Sequence, residues 1–136
     1  MKFVFCGYDF TIDIPKRLIA DGHDLIAIFT FECDNIFNFN TALHELAQER
    51  KIPISQNKIT AADVDHLIAQ GCECFLAAGY LHKIPDIDET KAYGLNVHPS
   101  LLPKGRGLMP VPYILMDHPD AAGLTIHKLS PRFDGG

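Results

Sequence analysis

Asn96 and His98 stand two residues apart in the run Leu95-Asn96-Val97-His98, which stops at Pro99. A short run of this kind reads as a strand, and on a strand residues i and i+2 leave the same face. The spacing puts an amide and an imidazole side by side at a strand's end, with Leu95 and Val97 turned the other way into packing. That pair suits acyl transfer. A nucleophile attacking a carbonyl builds negative charge on oxygen, which preorganised donors stabilise, and an imidazole can also move a proton. Pro99 ends the ladder, and Pro103, Pro110 and Pro112 stiffen the loop that follows. Taken alone, Asn-x-His is more often structural than catalytic, so the spacing by itself assigns no reaction.

Other chemistry-bearing residues read more plainly. The turn Cys6-Gly7-Tyr8-Asp9-Phe10 has one glycine where G-x-G-x-x-G needs three, and no G-K-[ST] follows, which argues against a dinucleotide or phosphate-loop site. The four cysteines are at 6, 33, 72 and 74. Cys6, Cys72 and Cys74 sit in apolar runs. A strand would point Cys72 and Cys74 to one face, and loop-borne zinc pairs are usually spaced more widely. They are read as buried structural thiols in a reducing cytoplasm, with no metal site. Ser100 has no nucleophile elbow around it. His82 and His127 are read as surface or structural residues.

Strands alternating with helices must position the pair. Phe3-Val4-Phe5-Cys6 is a strand buried on both faces. A helix over 12–21 follows, with Ile14, Leu18 and Ile19 inward, Pro15 in its first turn and Asp21-Gly22 ending it. Residues 25–29 are a second strand. Residues 30–39 are a loop carrying Phe31, Phe37 and Phe39, read as rings packed over the core rather than as a cleft wall. A helix over 41–50 is capped by Asn40 or Thr41. Residues 52–54 form a short edge strand, given Pro53. Then come a helix over 61–70, a strand over 74–78, a short helix over 87–91, a strand over 95–98, a loop over 99–112, a helix over 111–117 and a strand over 124–127. The alternation predicts an α/β fold: a Rossmann-like, doubly wound, mostly parallel sheet with helices on both faces, in one domain over 1–136.

Bulk composition narrows the class. Of the 136 residues, 47% are hydrophobic and 21% charged, an ordinary globular balance. The net charge is −5, with no Lys/Arg stripe to displace counterions from phosphates, so nucleic acid is not expected as a partner of this chain alone. No stretch approaches the ~20 apolar residues of a membrane span, and no signal peptide is expected at the N-terminus.

The whole string Asn96-Val97-His98-Pro99-Ser100-Leu101-Leu102-Pro103, with Arg106-Gly107 after it, resembles the N-x-H-x-S-L-L-P-x-x-[RK]-G signature of the folate-dependent formyltransferases. The likeness extends along the chain. Phe5-Cys6-Gly7-Tyr8-Asp9-Phe10 resembles the first strand and turn of the methionyl-tRNA and sugar-nucleotide branches. Ala78-Gly79-Tyr80-Leu81 with Ile84-Pro85 resembles the segment lining the folate pocket. Gly123-Leu124-Thr125-Ile126-His127-Lys128 resembles the G-[VL]-T-x-H strand, and Phe133-Asp134-Gly135 the start of a D-x-G motif.

The resemblance implies a mechanism. The donor is 10-formyltetrahydrofolate, and an unprotonated amine attacks its formyl carbon. Asn96 and protonated His98 stabilise the oxyanion. Asp134 holds His98 in its charged form, as a neighbouring carboxylate does for an imidazole, and helps move the amine's proton. No metal is required. Ala78, Gly79, Tyr80, Leu81, Ile84, Leu102 and Pro103 are the candidate folate contacts. Tyr8 and Arg106 are candidate acceptor contacts, Arg106 being equally suited to holding a loop carbonyl.

Two departures set further expectations. The family's domain usually runs on past the D-x-G motif, whereas here Gly136 lies two residues after Asp134. The domain is therefore expected to be C-terminally truncated and Asp134 poorly placed against His98, since chain ends fray; whether the chain alone is active stays open. The first turn lacks a glycine/serine-rich phosphate cradle, and the acidic charge argues against tRNA. That leaves a small-molecule amine or hydroxylamine, such as an amino-sugar nucleotide or a hydroxyornithine-like compound. A formyltetrahydrofolate hydrolase, a methionyl-tRNA formyltransferase and a non-catalytic folate- or nucleotide-binding module remain alternatives, and oligomeric state is open.

Overall fold

The computed structural model describes residues 1–132, 134 and 135. Phe133, part of the D-x-G resemblance, lies outside the described residues. Six strands form one sheet in the order β3-β2-β1-β4-β5-β6: β1 (Lys2–Gly7), β2 (Asp24–Phe29), β3 (Ile54–Ser55), β4 (Cys74–Ala78), β5 (Tyr93–His98) and β6 (Thr125–Lys128). The first five run parallel, and β6 pairs antiparallel with β5. The helices are α1 (Asp13–Ala20), α2 (Thr41–Arg50), α3 (Ala61–Ala69) and α4 (Pro110–Met116).

Period-2 alternation on the central strands builds two cores, which is what doubly wound means physically. Phe3 and Phe5 of β1 face the core made with Leu18 of α1 and Leu43 and Leu46 of α2. Val4 and Cys6 face the opposite core, made with Val64 and Leu67 of α3. On β5, Leu95 and Val97 pack into the α1–α2 core as expected. Asn96 and His98 are left on the α3 side. Gly7 permits the close approach of β1 to β4: a Cβ there would lie 2.5 Å from the Ala78 carbonyl oxygen.

Several expectations need correcting. Residues 87–91 form no helix. Asp88 instead ties a turn, its Oδ1 accepting from the Thr90 N–H at 3.0 Å and its carbonyl from the Lys91 N–H at 2.9 Å. Such a local side-chain bond competes with a helical turn. Asn40 does occupy the N-cap position of α2, but its amide donates to the Phe31 carbonyl at 2.8 Å. The capping carboxylate comes from Asp9, which accepts from the Ala42 and Leu43 N–H groups at 2.9 and 3.1 Å.

Cys72 and Cys74 do not share a face. Cys72 precedes β4 and joins the α3-side core, while Cys74 joins the other. Burial pushes the Cys72 thiol up to about 11 and raises Cys6 and Cys74 as well. Among the loop aromatics, only Phe31 is in the core; Phe37 and Phe39 are exposed. Among the described residues no helix is long and apolar enough to cross a membrane.

Candidate active site

The sheet order reverses direction between β1 and β4, and an open α/β sheet forms its ligand crevice at that switch, beyond the strands' carboxyl ends. A cavity of about 580 Å³ opens there. Tyr8 after β1 and Gly79 after β4 meet at its base. Gly79 has φ +68°, and a Cβ on it would lie 2.5 Å from the Tyr8 ring. Toward β2, the rings of Tyr8, Phe10, Phe31 and Phe37 line the cavity; toward β5 and β6, Asn96, His98, His127 and Asp134 do.

The polar end is a connected cluster. Asp134 is the hub and is buried. Its Oδ1 lies 3.4 Å from the Asn96 Nδ2, 3.4 Å from the His98 Nδ1 and 3.6 Å from the His127 Nε2, and its Oδ2 accepts from the Gly107 N–H at 2.8 Å. The expected fraying of Asp134 is thus overturned. Its carboxylate is within contact of His98 because four groups from β5, β6 and the 99–109 loop converge on it. The other His98 nitrogen, Nε2, donates to the Gly105 carbonyl at 2.7 Å. A carbonyl oxygen accepts only, so His98 carries a hydrogen on Nε2, while its Nδ1 faces the Asp134 carboxyl group.

The loop between β5 and α4 is held by Ser100 of the signature and Thr125 of the G-[VL]-T-x-H strand, whose bonds the spacing does not reveal. The Ser100 hydroxyl, fully buried, donates to the Lys104 carbonyl at 2.7 Å. The Thr125 hydroxyl donates to the Ser100 carbonyl at 2.7 Å and accepts from the Leu102 N–H at 3.0 Å. These bonds shape the turn that brings Gly105 and Gly107 against His98 and Asp134. Both hydroxyls are thereby engaged in shaping the loop.

The remaining candidates divide. Gly79, Tyr80, Leu81, Ile84 and Tyr8 line the cavity. Tyr80 is also anchored, its phenol oxygen accepting from the Ile59 N–H at 3.2 Å, and burial pushes its pKa up to about 12. Ala78, Leu102, Pro103 and Arg106 do not line it. The Ala78 side chain points into the α1–α2 core because it follows Ala77 by one residue on the strand. Leu102 and Pro103 lie in the turn over 102–105, half-buried and exposed respectively, and Arg106 is exposed. Of the two readings open for His127, surface or structural, burial in the cluster excludes the first. It stands in register with Asn96 across β5 and β6, and pairing between strands so far apart in the chain is not readable from local pattern. Among the described residues, no group of three or more His, Cys, Asp or Glu is arranged to hold a metal.

Known proteins place the chain. The formyl transferase family model matches residues 32–136. The chain is 30% identical over 145 residues to a methionyl-tRNA formyltransferase of Streptococcus agalactiae, covering 99% of this chain and 46% of that protein. It is 32% identical to one of Bacillus mycoides, covering 100% of this chain and 46% of that protein. The chain thus spans about half the length of the curated relatives it matches. Among solved structures, glycinamide ribonucleotide transformylase 1 of Symbiobacterium toebii superposes with a TM-score of 0.75 at 20% identity, covering 100% of this chain and 69% of that one. A sugar N-formyltransferase from a Shewanella species superposes at 0.68 and 19% identity, covering 100% and 54%. At such identities these two show the fold, and the family match over residues 32–136 carries the assignment: the chain belongs to the formyl transferase family.

Proposed function

We propose that residues 1–136 form a catalytic domain that transfers a formyl group from 10-formyltetrahydrofolate to an amine. The observation that carries the reading is the convergence of Asn96, His98 and Asp134 on one buried point at the switch-point cavity. The cavity suits a folate's flat ring system: its volume falls within the roughly 300–1,000 Å³ of small-molecule sites, and Tyr80, Leu81, Ile84 and Leu129 give it apolar walls. The folate supplies a formyl carbon bonded to a nitrogen that can leave.

The cluster's residues have distinct tasks. The Asn96 and His98 contacts to Asp134 are long, 3.4 Å each, near the outer limit for N–H···O. A carbonyl oxygen seated beside them can take both N–H groups, which then stabilise the charge it gains under attack. That leaves the Asp134 carboxylate free to accept the amine's proton. The new bond joins the amine nitrogen to the formyl carbon, the bond from that carbon to folate N10 breaks, and the proton passes through Asp134 to N10.

The acceptor we favour is a small-molecule amine or hydroxylamine, such as an amino-sugar nucleotide or a hydroxyornithine-like compound, on the ground that the net charge of −5 supplies little affinity for a polynucleotide. A second reading, methionyl-tRNA, is favoured by the relatives at 30–32% identity. Four free cysteines, three of them buried, support a reducing cytoplasm. The test supplies 10-formyltetrahydrofolate with a panel of amines, with methionyl-tRNA, and with no acceptor. Amine-dependent formylation is expected. Formate release that ignores the amine would favour hydrolysis, and folate binding with neither product would reduce the chain to a binding module.

A further inference from the structure

His127 lies beside the reacting groups without a task in the reaction proposed above. We propose that it is a positioning residue: as a neutral ring, it anchors the amide of Asn96 so that the NH2 end, not the carbonyl end, faces the formyl oxygen. The inference rests on the formyl-transfer reading.

Geometry sets the tautomer. His127 is the register partner of Asn96 across the antiparallel β5–β6 pair, so the two side chains leave the same face as neighbours. The ring is buried, and its Nδ1 sits 2.8 Å from the Lys128 carbonyl oxygen. A carbonyl oxygen accepts only, so the hydrogen is on Nδ1. Two groups face Nε2: the Asn96 Nδ2 at 3.1 Å and, farther off, the Asp134 Oδ1 at 3.6 Å. The nearer one is an amide NH2, a donor, so Nε2 meets it with its lone pair. That bond decides which end of the amide points where. Without an acceptor at this position, a half-turn about the terminal bond would place the Asn96 oxygen near Asp134 and the developing oxyanion, where it repels both.

The same bond explains how Asn96 can serve the reaction and stay fixed. Its NH2 has two hydrogens. One is held at 3.1 Å by His127, and the other makes only the 3.4 Å contact to Asp134. The loosely held hydrogen is the one available to a substrate oxygen, while the other keeps the group in plane.

Two substitutions and one spectrum test this. His127→Phe keeps a flat ring but removes the acceptor; His127→Gln restores an acceptor oxygen near the Nε2 position. For His127→Phe, kcat is expected to fall by about 10- to 100-fold, short of the roughly 10²–10³-fold for outright loss of an oxyanion donor. The KM for folate should stay near its wild-type value, and His127→Gln should recover most of the rate. In an Asn96→Ala background His127→Phe should add little, since the anchor has nothing left to hold. Additive losses, or no rescue by a folded His127→Gln protein, would overturn the proposal. Long-range ¹H–¹⁵N spectra of the unsubstituted chain read the anchor without turnover. Hydrogen on Nδ1 and a bare Nε2 on His127 supports it, and a doubly protonated ring or hydrogen on Nε2 overturns it. If the unsubstituted chain transfers no formyl group, the functional reading fails while the spectrum still decides the anchor.

Discussion

The two ends of the cavity are built in opposite ways. At the β5–β6 end, His98, His127 and Asp134 are buried, and each polar group has partners within the protein. At the β1–β2 end, Phe10 is 84% and Phe37 88% exposed, the exposed Asp13 lines the cavity, and neighbouring Asp9 is committed to capping α2. Dipoles that must meet a developing charge act most strongly when water is excluded and their directions are set beforehand. Exposed rings carry no such constraint and can adapt to the body of a ligand. The contrast supports placing the proposed reaction at the first end and the proposed acceptor selection at the second.

The sharpest way to break this division is at the buried end. Asn96→Ala and His98→Ala should each lower turnover by about 10²–10³-fold while folate binding, followed by equilibrium titration, changes little. Asp134→Asn, which keeps the shape and an acceptor for the Gly107 N–H, should lower single-turnover rates comparably. Wild-type rates in any of the three would remove that residue from the chemistry.

Next in size is the seam between the two ends. Gly7→Ala forces a Cβ to within 2.5 Å of the Ala78 carbonyl oxygen and 2.8 Å of the Phe5 ring. Because one obstacle is backbone, β1 and β4 must separate, at a cost of about 1–3 kcal/mol as for other overpacked cores. An unchanged urea midpoint would mean the strands are not that close.

Asp9→Ala removes the acceptor for two α2 N–H groups, and a loss of about 1 kcal/mol is expected from denaturant titration. A neutral result would show that solvent caps α2 equally well. The smallest stability effect belongs to Phe37→Ala, within about 0.5 kcal/mol, as for other exposed positions. Its signature should be a raised KM for the amine with the folate KM held. The reverse pattern would place folate, not the acceptor, against the aromatic wall.

How far the sequence could be read is clearest in two pairs with equal spacing. Asn96 and His98 both lie within β5, so the pleat carries them to one face, as the period-2 argument requires. Cys72 and Cys74 have the same spacing, but Cys72 lies before the first residue of β4, and the pair splits between the two cores. Spacing assigns a face only where both residues are in the strand, and strand ends are the part of a pattern that sequence marks least well. The turn at 87–91 failed similarly, since Asp88 offers local bonds that a helical period does not register. In the aromatic loop Phe31 is buried but Phe37 and Phe39 are exposed, because hydrophobicity says that a ring favours burial, not whether the chain leaves it room.

Covalent geometry and side-chain pattern were enough, by themselves, to determine the alternating strands and helices, the shared face of Asn96 and His98, and the family resemblance in the string from Asn96 to Pro103. These are local properties, set by the period of the backbone and the identity of adjacent residues. Only the tertiary structure decided that Asp134 is held against His98, that His127 stands beside Asn96, and that Asp9 caps a helix beginning more than thirty residues later. Each of these depends on where strands distant in sequence come to lie side by side, and that is settled by burying two cores on one sheet rather than by any neighbouring residue.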